Sequence, residues 1–292
     1  MSALTDSVRT LSRDEVQGYL PLLDNWLLDG AVYGVQHTWP QLYRNDGEGV
    51  FLVLTEGDRL LSHCAYRTAT LIDGPDERRV ALLGSVATGP AARRRGLAGQ
   101  VLEAALCSLE GQVEDVLLWA ERPELYARRG FAPSADDRGL LLARRPRRAL
   151  DGVRLAEVRD HAALHALHGH KPRRIRRSLR TMSTLLTTPG MTTLVLERDG
   201  APVAYACTGK GADLHGHWHE VGGEDQDVAL LLPEAMHRCE QIEAALLLPP
   251  YRDRLQELLG DQVVDVVNLP GPMSRSLTPR AGSCWIDGLD SV

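Results

Sequence analysis

The chain has 292 residues, of which 43% are hydrophobic and 25% are charged, and its formal net charge is −6. This length suits two domains that each bury a core, and the composition is that of an ordinary globular protein. The acidic balance argues against nucleic acid as the main partner, because a protein that follows phosphates usually carries a basic surplus. No apolar run reaches the roughly 20 residues that a membrane span needs, so we expect no membrane association.

Cysteine usage and the first residues predict the cellular compartment. The five cysteines are dispersed and include no CxxC pair, which fits reduced core thiols better than a disulfide framework. Residues 1–16 contain no apolar segment of the kind found in signal peptides. We therefore expect a cytoplasmic protein.

The first half predicts a mixed sheet with helices on both faces. Its elements run in the order helix, three strands, helix, strand, short helix and strand. A capping box at residues 12–15, SRDE, marks the first helix. The later elements are predicted at residues 50–54, 60–72, 79–88, 97–110, 113–119, 123–129 and 140–143.

The second half repeats nearly the same order after a linker at Asp151 and Gly152. Its strands are predicted at 153–157, 191–197, 203–208, 214–221, 244–248 and 263–267, and its helices at 161–186 with a break near 169–172, 228–240 and 251–259. We infer an internal duplication and an α/β (α+β) fold. Residues 1–150 and 151–292 would each form a mixed, mostly antiparallel sheet with helices on both faces.

The loop before the long helix has the features of an anion site. Residues 85–106, SVATGPAARRRGLAGQVLEAAL, place three arginines and a glycine directly before an amphipathic helix. A helix N-terminus exposes unpaired N–H groups and the positive end of its dipole, which favour phosphate. Gly96 has no Cβ, so the backbone can approach a diphosphate closely, and the small side chain of Ala98 leaves room in the next turn. The alternative is a solvated turn that binds nothing.

Two motifs in the first half resemble those of the GNAT acetyltransferases. Residues 93–98, RRRGLA, are similar to the family signature Q/R-x-x-G-x-G/A, and residues 126–131, YARRGF, are similar to its Y-x-x-x-G-F. The paired layout resembles the tandem acetyltransferases, such as mycothiol synthase and the first two domains of the enhanced intracellular survival proteins. The resemblance implies two tandem GNAT-like domains.

The resemblance also implies the cosubstrate and where it binds. Acetyl-CoA would enter a V-shaped gap between the strands ending at Thr88 and Trp119, and no metal would take part. The pantetheine would pair with one strand and the diphosphate would lie on the loop. The residues implied are Val86, Ala87 and Thr88 for the pantetheine, and Arg93, Arg94, Arg95, Gly96, Leu97 and Ala98 for the diphosphate.

The second half departs from this pattern. At the corresponding place, residues 222–227 read GGEDQD, which is acidic and lacks the arginine. Carboxylates there would repel a diphosphate. We therefore expect the second GNAT-like domain to have kept the fold and lost the cofactor.

Acetyl transfer to an amine needs a base for the amine and an acid for the leaving thiolate. Tyr126 is similar to the family tyrosine that often protonates the leaving sulfur, although it is also the size of a packing residue. Many relatives carry a glutamate on the strand before the loop, but residues 81–85, ALLGS, contain none. Glu121 is the nearest acid and is the first candidate for the base; otherwise it is a surface residue.

The last residues offer a second candidate for the base. Residues 284–292, CWIDGLDSV, end on apolar side chains and a tryptophan, unlike a frayed tail. In some tandem relatives the chain end returns to the first active site and offers its carboxylate as the base. We predict that this segment packs near Tyr126, where a partly desolvated carboxylate of Val292 would have a raised pKa. The alternative is packing on the second domain alone.

Histidines and basic residues of the second half predict no chemistry of their own. His215, His217 and His219 would share a strand face at about 6–7 Å, which is wide for one metal. We expect an exposed face, with a polar lining of the inter-domain cleft as the alternative. His161, His165 and His168 fall on one helical face, and residues 171–180, KPRRIRRSLR, read as a solvated helix. RNA association through this stretch is the weakest alternative.

The sequence thus favours an acetyl-CoA-dependent N-acetyltransferase that acts on a primary amine of a small molecule or peptide. The runner-up is a non-catalytic acyl-CoA-binding or sensor protein that uses the same loop. The acceptor and the oligomeric state are not encoded in any motif.

Overall fold

The computed structural model describes residues 8–134, 137–145, 150–211, 214–278 and 284–292. Two mixed sheets with flanking helices form the predicted α/β architecture. The elements of the first half are β1 (Arg9–Leu11), α1 (Arg13–Leu27), α2 (Val35–Thr38), α3 (Pro40–Tyr43), β2 (Val50–Glu56), β3 (Arg59–Asp73), β4 (Asp76–Thr88), α4 (Leu97–Leu109), β5 (Asp115–Leu118), α5 (Pro123–Ala127), β6 (Ala132–Pro133) and β7 (Asp137–Ala143).

The second half has the same alternation of elements. They are β8 (Val153–Leu155), α6 (His161–Gly169), β9 (Arg173–Ile175), α7 (Leu179–Leu186), β10 (Thr192–Arg198), β11 (Ala201–Thr208), β12 (His217–Gly223), α8 (Asp225–Arg238), β13 (Glu243–Leu248), α9 (Asp253–Leu259), β14 (Val263–Leu269) and β15 (Met273–Ser276). Within the described ranges, none of the helices is both long and apolar enough to cross a bilayer.

Each sheet packs a long helix against one face. In the first sheet, Val101, Ala105 and Leu109 of α4 are buried against strand residues such as Leu52 and Leu83. In the second, α8 buries its apolar side in the same way, on a core that includes the fully buried Trp218. Burial of this kind contributes about 1.5–3 kcal/mol for each large apolar side chain, so the two cores hold the strands that carry the site.

The two sheets exchange strands near the ends of both halves. The first sheet has the order β1-β2-β3-β4-β5-β15-β6, and the second has the order β14-β7-β13-β12-β11-β10-β8. The sequence assigns residues 140–143 to the first half, but β7 lies in the second sheet between β13 and β14. The apolar pattern of a strand predicts that it is buried but does not specify its partner. The division predicted at residue 150 is therefore crossed by β7 and by β15.

Residues 161–186 differ from the single broken helix that the sequence predicts. α6 ends at Gly169, β9 then pairs antiparallel with the end of β3, and α7 begins after Ser178. The Ser178 hydroxyl accepts a hydrogen bond from the N–H of Thr181 at 3.0 Å, which caps α7. Pro172 breaks the helical pattern, and the three residues of β9 attach the second half to the first sheet.

Candidate active site

The predicted gap is present between β4 and β5. These parallel strands pair only where Val80–Leu82 face Asp115–Leu117, and they separate beyond Leu82. A register shift between β3 and β4 coincides with the separation, because Ala65 pairs with Gly84 whereas His63 pairs with Ala87. The extra residue forms a β-bulge that bends β4 away from its neighbour.

His63 supports this bulge. Its Nδ1 donates a hydrogen bond to the carbonyl oxygen of Ser85 at 2.8 Å, and Ser85 has a φ of +53°. The ring lies next to Tyr43 and Phe51, with centroids 6.1 Å from each. Burial lowers the pKa of His63 to about 4, so the ring is neutral near pH 7. The sequence gives no sign of this role, because the residues next to His63 along the chain form no motif.

The loop before α4 is shaped to receive an anion. Gly96 is the N-cap of α4 with a φ of +78°, and no side chain caps the helix. Arg94 is also left-handed, with a φ of +63°, so the loop curls its N–H groups together in a nest. A cavity of about 980 Å³, which we call the loop cavity, lies beside it. Its lining includes the predicted residues Val86, Ala87, Thr88, Arg93, Arg94, Gly96, Leu97 and Ala98.

Not every predicted loop residue faces this cavity in the same way. Arg95 is exposed and is not among the lining residues. The Nε of Arg93 donates to the carbonyl oxygen of Thr88 at 3.2 Å, so this arginine ties the loop to the end of β4. The Leu97 side chain packs in the core beneath α4, which leaves its backbone for the anion site.

Two arginines that sequence analysis did not assign extend the positive lining. Arg128 and Arg129 lie in the YARRGF motif and also line the loop cavity. A Cβ at Gly99 would lie 2.0 Å from Nη2 of Arg129, so Gly99 makes room for this guanidinium. The sequence could have indicated both arginines, since they belong to the same YARRGF motif as Tyr126.

Tyr126 lies where two cavities meet. The second cavity has a volume of about 740 Å³, and we call it the tryptophan cavity because three tryptophans line it. Tyr126, Glu121 and Val86 line both this cavity and the loop cavity. The tyrosine packs edge-on against Phe131 with ring centroids 6.1 Å apart. Burial raises the pKa of Tyr126 to about 12, so its hydroxyl keeps its proton near neutral pH.

Val292 reaches the tryptophan cavity, as the sequence predicts for the last segment. A Cβ built on Gly84 would lie 2.6 Å from both the carbonyl carbon and the oxygen of Val292. The main-chain carbonyl group of Val292 therefore rests on β4 at a position that lacks a side chain. Glu121, the other predicted acid, is exposed at the junction of the two cavities.

Buried charges hold the C-terminal segment, residues 284–292. We call Arg67, Lys171, Arg177, Glu220, Asp287 and Asp290 the buried charge cluster; each is at most 5% exposed. Asp290 bonds to Arg177 at 2.6 Å and to Arg67 at 3.1 Å, and Asp287 bonds to Lys171 at 3.0 Å. Outside the cluster, Lys210 donates to the carbonyl oxygen of Gly288 at 2.9 Å. The segment is thus fixed by residues of both halves.

The carboxylates of this cluster differ in protonation behaviour. Burial acts to raise the pKa of Asp290 and Glu220, but the nearby cations, Arg177 foremost, outweigh it and hold both below their usual range. For Asp287 burial prevails, and its pKa is raised although Lys171 opposes the shift. The solvated helix predicted at residues 171–180 is therefore wrong, because Lys171 and Arg177 are buried.

The histidine predictions are also corrected. His219 is fully buried rather than exposed, and burial lowers its pKa to about 3. A Cβ at Gly288 would lie 2.6 Å from that of His219, so the ring packs against the C-terminal segment. His168 is buried too, and with Glu220 and Asp287 it places three ligand-type atoms within 4.8 Å of one another. The Lys171 ammonium bonds both carboxylates, at 3.1 and 3.0 Å, and takes the place of a bound cation.

The corresponding loop of the second half carries acidic side chains and an internal ion pair. Arg252 bonds to Asp225 at 2.6 Å and donates to the carbonyl oxygen of Gly223 at 2.9 Å. Asp225 and Asp227 lie in the first turn of α8, where the first half has no acid. A Cβ at Gly222 would lie 2.1 Å from the Tyr205 ring, so this ring packs directly on β12. A cavity of about 500 Å³ remains beside the loop, but Glu224, Asp225 and Asp227 line it, so it is acidic where the loop cavity is basic.

A comparison with protein families identifies the first half. Residues 7–134 match the family model described as an acetyltransferase (GNAT) domain. The chain carries a GNAT acetyltransferase domain. This match covers the gap, the loop and Tyr126, so residues 7–134 form a domain of the acetyltransferase (GNAT) type.

Solved structures resemble the chain in fold over more than nine-tenths of its length. A probable N-acyltransferase from Enterococcus faecalis superposes with a TM-score of 0.74 at 14% identity, over 92% of this chain and 72% of that one. A GCN5-related N-acetyltransferase from Kribbella flavida gives 0.67 at 16% identity, over 94% and 72%. Eis1 from Mycobacterium abscessus gives 0.63 at 15% identity, over 93% and 74%. No curated protein matches the chain in sequence.

Proposed function

We propose that the chain transfers an acetyl group from acetyl-CoA to a primary amine. The observation that carries this proposal is the position of Tyr126, at the junction of the arginine-lined loop cavity and the tryptophan cavity. An acyl donor held in the first cavity would present its thioester beside Tyr126, and an amine in the second would approach from the other side.

The residues of the loop cavity suit coenzyme A. The nest at Arg94 and Gly96, together with the uncapped start of α4, provides backbone N–H groups for a diphosphate. Arg128 and Arg129 supply further positive charge beside it. β5 does not pair with β4 beyond Leu82, so that edge of β4 is open to the amide groups of a pantetheine arm.

The chemistry follows from the groups at the junction. The amine gives up a proton to a carboxylate, and its nitrogen attacks the thioester carbon; the C–N bond forms as the C–S bond breaks. Tyr126 donates its proton to the departing sulfur, so the products are the amide and the free thiol. The two candidates for the base are the main-chain carboxylate predicted at Val292 and Glu121, the latter acting through water; both residues line the tryptophan cavity.

The test is thiol release from acetyl-CoA in the presence of a panel of primary amines. We expect turnover with at least one amine, and Tyr126→Phe should lower kcat about tenfold to a hundredfold with little change in acetyl-CoA affinity. Tyr19→Phe is the matched control, because the Tyr19 hydroxyl donates to the carbonyl oxygen of Asp58 at the surface and Tyr19 lines neither cavity. Binding of acetyl-CoA without turnover of any amine would instead support a non-catalytic acyl-CoA sensor.

A further inference from the structure

Three of the five tryptophans of the chain line the tryptophan cavity. Trp26 lies on α1, Trp39 joins α2 to α3, and Trp119 follows β5. All three are half-buried, so each shows part of its ring to the cavity. Elements far apart along the chain thus bring together an aromatic wall, by which we mean these three residues.

The aromatic wall is held in place by its surroundings. A Cβ at Gly89 would lie 2.7 Å from the Trp26 ring, so the indole packs directly on that backbone. Trp39 packs at a tilt against Tyr43, with ring centroids 6.4 Å apart. A wall that is fixed before binding loses little conformational entropy when a ligand arrives.

The rest of the lining combines apolar and polar surface and has one acidic end. Leu83, Leu118 and Leu125 contribute alkyl surface. At the junction with the loop cavity Glu121 contributes a carboxylate, which we call the negative pole. Arg122 lines the cavity as well, but its Nε is bonded to Glu124 at 3.1 Å and its side chain is 70% exposed. The end of the cavity at Glu121 therefore favours a cation over an anion.

This combination selects one kind of amine. Indole faces attract an ammonium group and stack on flat rings. A hydroxylated, non-planar body would cover less of the three indole faces than a flat aromatic ring does. An acceptor that carries its own carboxylate or phosphate would be repelled by the negative pole.

We infer that the acceptor is a primary amine carried on a flat, apolar, aromatic body, an arylalkylamine. This inference rests on the proposed N-acetyltransferase function and names its substrate class. The aromatic wall recognises the ring, and the negative pole receives the ammonium group beside Tyr126.

The experiment compares three acceptors with the full chain and acetyl-CoA. Tryptamine has the flat body, tryptophan adds a carboxylate to it, and glucosamine replaces it with a hydroxylated ring. We expect kcat/KM for tryptamine to exceed that for each of the other two by about tenfold or more. Equal or faster turnover of glucosamine would overturn the inference and leave the proposed acetyltransferase function intact.

Variants of the aromatic wall test whether it recognises the ring of the acceptor. Trp39→Ala should lower kcat/KM for tryptamine about tenfold, with a much smaller loss for glucosamine, and Trp39→Phe should restore most of it. Tyr33→Ala is the matched control, since Tyr33 is a nearby exposed aromatic residue that does not line the cavity. Equal losses for both acceptors in Trp39→Ala would contradict recognition of the ring.

Calorimetry separates a failure of the inference from a failure of the proposed function. If no amine is turned over, the acetyltransferase proposal fails, and tryptamine and glucosamine are titrated into the protein saturated with coenzyme A. Tighter binding of tryptamine that is lost in Trp39→Ala would still support an arylalkylamine site. Equal binding of the two amines, or none, would overturn it.

Discussion

The two halves share one fold and use the same opening differently. In the first, β4 and β5 separate beyond Leu82, and the gap leads into cavities lined by arginines and tryptophans. In the second, β12 and β13 pair only at His217 and Trp218, and β12 then continues past its neighbour. There the space is filled by the protein itself, because β12 contacts the C-terminal segment and the buried charge cluster.

The two halves also differ in the loops that precede α4 and α8. Both long helices begin without a side-chain cap, but arginines line the cavity at the start of α4, whereas acids line the one at the start of α8, where Arg252 is paired with Asp225. The gap of the second half holds residues 284–292 through contacts with β12 and the buried charge cluster. It thereby directs these residues toward the gap of the first half. One half would bind the ligand, and the other would position a group that acts on it.

The largest effect should come from breaking the filled gap of the second half. Arg177→Met leaves Glu220 and Asp290 buried without their main counter-charge, so the free energy of unfolding should fall by about 3–5 kcal/mol. Chemical denaturation measures this loss. Arg180→Met is the control, because Arg180 is 77% exposed and pairs with Asp46 at the surface; its cost should stay below about 1 kcal/mol.

The pH dependence of this variant checks the cause. The native pKa values of Glu220 and Asp290 lie below those of ordinary carboxyls. Their stabilising contribution is therefore complete above the ordinary carboxyl pKa and is lost as the pH falls through the native pKa. The stability difference between wild type and Arg177→Met should shrink as the pH is lowered from neutral to about 3. A difference that does not vary with pH would point to lost packing instead.

A second prediction tests whether only the first half binds coenzyme A. Gly96→Asp adds a negative charge at a left-handed position of the anion loop, and acetyl-CoA affinity should fall by about a hundredfold or more. Calorimetry with the wild type should give one site per chain. Gly111→Asp is the control, because Gly111 has a similar φ of +72° and open space in a turn at the far end of α4. A second site in the wild type would contradict the comparison of the two loops.

The smallest effect should come from displacing the carboxylate of Val292. Gly84→Ala places a methyl group 2.6 Å from its carbon and oxygen, so kcat should fall about tenfold while acetyl-CoA affinity stays nearly unchanged. Gly18→Ala, at a site with open space, should leave kcat as it is. Unchanged turnover in Gly84→Ala would leave Glu121 as the candidate for the base.

Local sequence predicted the parts of the site that are themselves local. The RRRGLA loop and Tyr126 each lie in a short motif on the element that presents it, so spacing alone identified them. The aromatic wall was missed, because Trp26 and Trp119 meet only through the folded sheet. The buried charge cluster was misread for the same reason: Arg177 and Asp290 are 113 residues apart, and nothing near Arg177 indicates a buried partner.

The exchange of strands has a consequence for how the protein is made. β5 lacks one neighbour until β15 leaves the ribosome, because Leu118 pairs with Met273. At the usual speed of translation this wait lasts about 8–30 s, during which a buried-type strand edge is exposed to other nascent chains. The first half can complete its sheet only after β15 has been synthesised, so a nascent chain that lacks β15 would be inactive. A fragment of the first 150 residues should therefore aggregate rather than work alone.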